Sequence, residues 1–117
     1  ETMKKTFDLS VELCTAGWNT YAAMALPGSR LYKNALSNKD KLPDSYEGYS
    51  FHSYETQPLP TENLTAATIL RYRDESFKKY HTNDAFLNKI KNKFGTKAVE
   101  NIQEMTKVSL KRKILGD

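Results

Sequence analysis

Residues 18–26 read WNTYAAMAL, an aromatic-led apolar run without a charge, bounded by Gly17 on one side and Pro27-Gly28 on the other. A continuous apolar run of this length, with little alternation, suits a buried strand covered on both faces. No other stretch of the chain reads as a strand. A lone strand cannot satisfy its own backbone hydrogen bonds, so this one is expected to pair with backbone outside the chain or with a second copy of itself. The elements around it are helical, and the expected fold is mainly α with one strand, an α/β fragment.

Before the run, Met3, Phe7, Val11 and Cys14 recur at helical spacing, which predicts an amphipathic helix over residues 2–16 closed by Gly17. Cys14 then falls on the apolar stripe as a small buried thiol, with no Lys, Arg or His beside it to activate it. After the run, Ser29 can cap a short helix to about Leu36. Residues 37–64 contain three of the four prolines and an aromatic group at Tyr46, Tyr49, Phe51 and Tyr54 with no regular period. That is an ordered irregular loop, too apolar to be left in water. Beyond it, Thr65 caps a helix from Ala66 to about Tyr80, and Thr82 or Asn83 starts another that ends at Gly95. Thr96 caps a last helix whose apolar positions run Val99, Ile102, Met105, Val108, Leu110, Ile114 and Leu115. The Lys111-Arg112-Lys113 cluster in its final turn is explained by the negative end of the helix dipole.

At 117 residues the chain makes one domain at most, and with 38% hydrophobic and 27% charged residues it has a globular composition. No apolar run approaches the length of a membrane span, so no membrane partner is expected. One cysteine excludes an internal disulfide, and a reducing cytoplasm is the expected compartment. The first residue is Glu1 with no leader before it, so no targeting signal is read and the chain is expected to be a piece of a longer polypeptide. The net charge of +4 is uneven: residues 76–117 carry ten Lys/Arg against four Asp/Glu. A solvated Lys-rich helix face produces the same count as an anion-binding surface.

No complete catalytic constellation is present. Phosphate-binding glycine loops, HExxH, CxxC and GxSxG are all absent, and Cys14 with His52 and His81 cannot assemble a zinc or iron-sulfur site, so each histidine is expected as a polar surface group. Asp74 and Glu75 follow Arg71 and Arg73 on a helix, where an Arg-Asp pair is most simply structural or a cap to a neighbouring loop; a substrate-facing Arg73 is the minor reading. Single-strand nucleic-acid binding interleaves basic residues with aromatic platforms. Here residues 44–55 hold the aromatics with Asp44, Glu47 and Glu55 and no Lys or Arg, which disfavours a nucleic-acid partner.

The segments YAAMALPGSRLYKNAL (21–36), SFHSYETQPLPTENLTAATILRYRDESFKKY (50–80) and LKRKILG (110–116) carry a family resemblance. Their most specific pieces are the PGS-x-LY turn at Pro27 to Tyr32, the PLPT stretch at Pro58 to Thr61, and the RD-x-x-F-x-x-Y helix of Arg73, Asp74, Phe77 and Tyr80. Over nearly its whole length the chain resembles the C-terminal part of radical S-adenosylmethionine (radical SAM) iron-sulfur oxidoreductases of the cobalamin-binding class. The CxxxCxxC cluster motif of that superfamily is missing, so the resemblance implies a fragment. It implies a late barrel helix and strand, with residues 1–36 as the end of the radical SAM barrel. Residues 37–64 become an aromatic, Pro-rich loop and residues 65–117 a C-terminal three-helix extension.

By the same resemblance the parent enzyme uses a [4Fe-4S] cluster and S-adenosylmethionine, with cobalamin in this class, in an oxidoreductase or methyltransferase reaction. Met24, Ala25, Leu26, Pro27 and Gly28 would lie near the cofactor or substrate cavity, with the aromatic loop covering it. This chain would hold no cofactor, no metal and no catalytic residue of its own. Its implied partner is the preceding part of the same polypeptide, with self-association through 18–26 in its absence. The reading from another class is a small helical interaction module whose basic C-terminal helix binds an acidic partner or nucleic acid.

Overall fold

Side-chain oxygens placed just ahead of apolar periods set three of the helix starts. The computed structural model describes residues 1–117, with helices α1 (Thr2–Leu13), α2 (Arg30–Asn38), α3 (Ala66–His81), α4 (Asp84–Phe94) and α5 (Thr96–Lys107). Short 3-10 turns occur at Tyr46–Tyr49 and Lys113–Leu115. Ser29 Oγ accepts the Tyr32 amide at 3.0 Å, Thr65 Oγ1 the Thr68 amide at 3.1 Å, and Asn83 Oδ1 the Ala85 and Phe86 amides at 2.8 and 3.3 Å. Each satisfies donors that a helix N-terminus leaves open. Gly95, at φ 86°, separates α4 from α5 in a conformation that disfavours a side chain. No helix is long and apolar enough to cross a membrane.

One helix start and two helix ends differ from expectation. Thr96 does not cap α5: it is the first helical residue, Gly95 holds the cap position, and no side chain accepts from the first-turn amides. α1 stops at Cys14, at φ 42°, whose amide donates to the Ser10 carbonyl at 3.0 Å. A non-glycine residue in this left-handed region costs roughly 1–2 kcal/mol, and the Lys89 ammonium, donating to the Cys14 carbonyl, helps to hold it there. α5 stops at Lys107, although the apolar period runs on through Val108 and Leu110. The following residues cross to a different set of partners.

The strand expected over 18–26 is absent, and with it any barrel strand: the chain is all-helical, without a sheet. The physical reason lies in pairing. Residues 18–26 have no regular secondary structure, and the backbone bond that reaches them from another segment is the Leu59 amide on the Ala23 carbonyl, at 2.8 Å. One such bond is no ladder. The apolar character of the run is still used, since Ala22, Met24 and Ala25 are buried.

The chain divides into two compact units. The first comprises Glu1–Thr20 and Glu75–Ser109. Its core is an aromatic cluster. Trp18 meets the Phe7 ring edge-on at 5.4 Å and stacks on Tyr80 at 5.9 Å, and Phe86 lies 5.2 Å from both Tyr80 and His81. The Tyr80 hydroxyl donates to the Ala16 carbonyl at 2.6 Å. His81, expected as a surface group, is buried here: Nδ1 lies 2.8 Å from the Phe77 carbonyl and Nε2 accepts the Trp18 amide at 3.5 Å. With both ring nitrogens engaged, it is a packing residue.

The second unit comprises Tyr21–Asp74 and Leu110–Asp117. Its buried residues include Met24, Ala25, Ala35, Ala66, Ile69, Leu70, Thr56 and Pro58. Gly48 is needed for close approach, because a Cβ there would stand 2.4 Å from Pro43 Cβ. Its carbonyl accepts the Gln57 amide at 2.9 Å, which closes the base of the aromatic loop.

Candidate functional site

The aromatic loop is held by polar contacts more than by ring burial. Tyr46 is 87% exposed and Tyr54 is also exposed, while Phe51 is half-buried with its ring 4.6 Å from Tyr21. Ser53 Oγ donates to the Glu47 carbonyl at 2.6 Å. Thr56 Oγ1 lies 2.5 Å from the Ser50 carbonyl and 2.7 Å from the Ser53 carbonyl, sharing its hydrogen between them. These bonds curl residues 47–56 so that several oxygens point inward.

Arg112 fills the space they enclose, and it is 0% exposed. Its Nη1 donates to the Phe51 and Ser53 carbonyls at 2.8 and 3.0 Å and to Thr56 Oγ1 at 2.9 Å. From α3, the Asp74 carboxylate takes Nε on Oδ2 at 2.9 Å and Nη2 on Oδ1 at 3.0 Å, a bidentate pair. Arg73 donates to the same Oδ1 at 3.0 Å. A guanidinium out of water is tolerated only when paired with a counter-charge and hydrogen-bonded, as it is here at every nitrogen. The Arg73–Asp74 contact is thus the structural pair expected from the sequence, and Asp74 also caps a loop through a cation that the sequence reading assigned to a helix end.

The final residues wrap around this arginine. Its amide donates to Asp117 Oδ2 at 2.9 Å, the Lys113 amide to the Tyr54 carbonyl at 2.9 Å, and the Tyr54 hydroxyl to the Asp117 carbonyl at 2.9 Å. The exposed Lys113 ammonium bridges both Glu55 oxygens at 3.1 and 2.9 Å. The basic Lys111-Arg112-Lys113 cluster is therefore divided: one member is buried, and another is neutralised at the surface. The cluster lies beyond the end of α5 and does not form a continuous basic helix face.

A cleft of about 120 Å³ lies beside the clasp, between the 41–45 stretch, Glu55, Gln57, Lys113 and Ile114. Small-molecule pockets start near about 300 Å³, so this one suits a few waters and not a nucleoside cofactor. Of the residues that the resemblance places near a cofactor, none lines it. Met24 is buried, and Leu26, Pro27 and Gly28 form an exposed turn closed by the Ser29 amide on the Leu26 carbonyl at 3.0 Å, with Gly28 at φ 86°. That is a proline-glycine turn leading into the α2 cap.

No group of three or more His, Cys, Asp or Glu side chains converges as metal ligands. The one cysteine is buried at the end of α1. The residues present therefore do not fit an iron-sulfur cluster within this chain. All three Arg112 guanidinium nitrogens are engaged inside the protein, leaving no open fork for a substrate. No protein-family model, curated protein or solved structure matches the chain.

Three groups shift in the same direction. Burial, with the Cys14 thiol beside it, raises the Tyr80 phenol above its ordinary 10.0; burial also raises Tyr49, with Tyr32 and Tyr46 adding to it. The hydrogen bond and charge of Glu55 raise the Lys113 ammonium above 10.5. A raised folded-state value leaves stability intact below the ordinary value and removes it as pH climbs through the folded one. The thermal midpoint should accordingly fall as pH rises above 10.0, and Tyr80→Phe should flatten that fall when midpoints are compared between pH 9 and 11.5.

Proposed function

We propose that the chain is the C-terminal part of a radical SAM iron-sulfur enzyme of the cobalamin-binding class, serving as a non-catalytic element that closes and supports the fold. One observation carries this reading. Two of the separated segments on which the resemblance rests meet at a single buried side chain: Arg112, from LKRKILG, binds Phe51, Ser53, Thr56 and Asp74, all within the 50–80 segment. The third segment supplies the proline-glycine turn and the Ser29 cap. Motif residues that brace one another are what a supporting element requires, whereas motif residues of a catalytic element would line a cavity.

In this reading the cluster and S-adenosylmethionine belong to the preceding part of the polypeptide. Substrate radical chemistry would take place there, with methyl transfer as one outcome. The coding sequence upstream of Glu1 should contain a CxxxCxxC motif, and its absence from an upstream open frame would overturn the assignment. A second measurement bears on the chain itself. Anaerobic reconstitution with iron and sulfide should leave it without cluster absorbance; a bound cluster would contradict a non-catalytic role.

A further inference from the structure

We infer that the pocket around Arg112 is a guanidinium-recognition site filled in cis, with residues 110–117 docked on the 21–74 part of the second unit as a tethered peptide ligand. The inference goes beyond the family reading and does not depend on it. The atoms that meet the Arg112 guanidinium are all acceptors: a carboxylate presented edge-on, two backbone carbonyls and a threonine oxygen, at 2.8 to 3.0 Å from its nitrogens. That set matches a planar fork of N–H donors and discriminates against a compact ammonium.

The acceptors are also held without the arginine's help. Thr56 Oγ1 is fixed on the Ser50 and Ser53 carbonyls, Ser53 Oγ on the Glu47 carbonyl, and the loop base by the Gln57 amide on Gly48. Asp74 sits on α3 with Arg73 donating to it. The docked segment, in turn, shapes itself: the Leu115 amide donates to the Arg112 carbonyl at 2.9 Å and the Gly116 amide to the Lys113 carbonyl at 3.1 Å. A preorganised pocket and a self-folded turn meet as receptor and ligand do.

Chemical rescue tests this on the full chain. Removing the fork with Arg112→Ala should lower the thermal midpoint. Guanidinium chloride at about 20 mM, far below its molar denaturing range, should then raise that midpoint by at least about 4 °C through binding to the folded state. Equal methylammonium or sodium chloride should not. Wild type, and Arg112→Lys with its own side chain in the pocket, should show no rise. If Arg112→Ala is unfolded in buffer, the same comparison is read as recovery of near-ultraviolet circular dichroism on titration. A rise no larger than with methylammonium, an equal rise in wild type or Arg112→Lys, or no recovery would overturn the inference.

Discussion

Asp74→Ala is expected to destabilise the chain by about 3–5 kcal/mol, because it leaves a fully buried guanidinium without its counter-charge. The carboxylate supplies both acceptors for Nε and Nη2, and the remaining partners are neutral oxygens that all face Nη1. Neutral acceptors satisfy hydrogen-bond geometry but do not offset the cost of holding a charge away from water. The second unit should respond by letting the C-terminal segment leave. Hydrogen exchange should then show the Arg112 and Lys113 amides losing protection, since their acceptors are Asp117 and the Tyr54 carbonyl.

Asp74→Asn keeps acceptor capacity without the charge and should fall between wild type and alanine. The double variant Asp74→Leu, Arg112→Leu removes both charges and should cost markedly less than the sum of the single changes. Denaturant midpoints with unchanged m-values measure all of these. An Asp74→Ala penalty below about 1 kcal/mol, in the range of an exposed ion pair, would mean that the guanidinium reaches solvent and that the clasp is superficial.

Three helix starts were legible because a cap is a local event: Ser29, Thr65 and Asn83 act on amides two or three residues away. The cap expected at Thr96 is not made, because Gly95 already turns the chain into α5. The proline-glycine turn was legible for the same reason. The clasp was not. Arg112 sits in a stretch whose apolar spacing continues that of α5, and its carboxylate partner is 38 residues away in sequence. Nothing local distinguishes it from a cation placed for a helix dipole. Asp74 was seen as a paired carboxylate, but its nearest arginines in sequence pointed to Arg73, which supplies one of the contacts it receives. The run 18–26 shows the opposite failure. Its composition called correctly for burial at Met24 and Ala25. Strand structure, however, belongs to a pair of segments and not to one, and the chain offers no second. His81 was misread as a surface group because its partners, the Phe77 carbonyl and the Trp18 amide, are backbone atoms without a sequence signature.

In the first unit the largest effect should come from Phe86→Ala. Phe86 is 2% exposed, and its ring touches both Tyr80 and His81. Truncating a buried phenylalanine costs about 3–5 kcal/mol, from lost transfer energy and the cavity left behind. A domain of ordinary stability has only about 5–15 kcal/mol in total, so this single change removes a large share of it. The neighbours make collapse into the cavity difficult. Tyr80 is tied by its hydroxyl to the Ala16 carbonyl, and His81 is held at both nitrogens. Trp18, the only tryptophan, stacks on Tyr80 and reports the damage directly through its fluorescence. Its emission should shift to the red and its near-ultraviolet dichroism weaken at denaturant concentrations where wild type is still folded. Phe94→Ala is the control. That ring closes α4 at 62% exposure, and its loss should change stability by no more than about 0.5 kcal/mol. Equal penalties for Phe86 and Phe94 would mean that the aromatic cluster does not organise the first unit. A large penalty at Phe86 alone places the stability of the first unit in the Trp18, Tyr80, His81 and Phe86 stack.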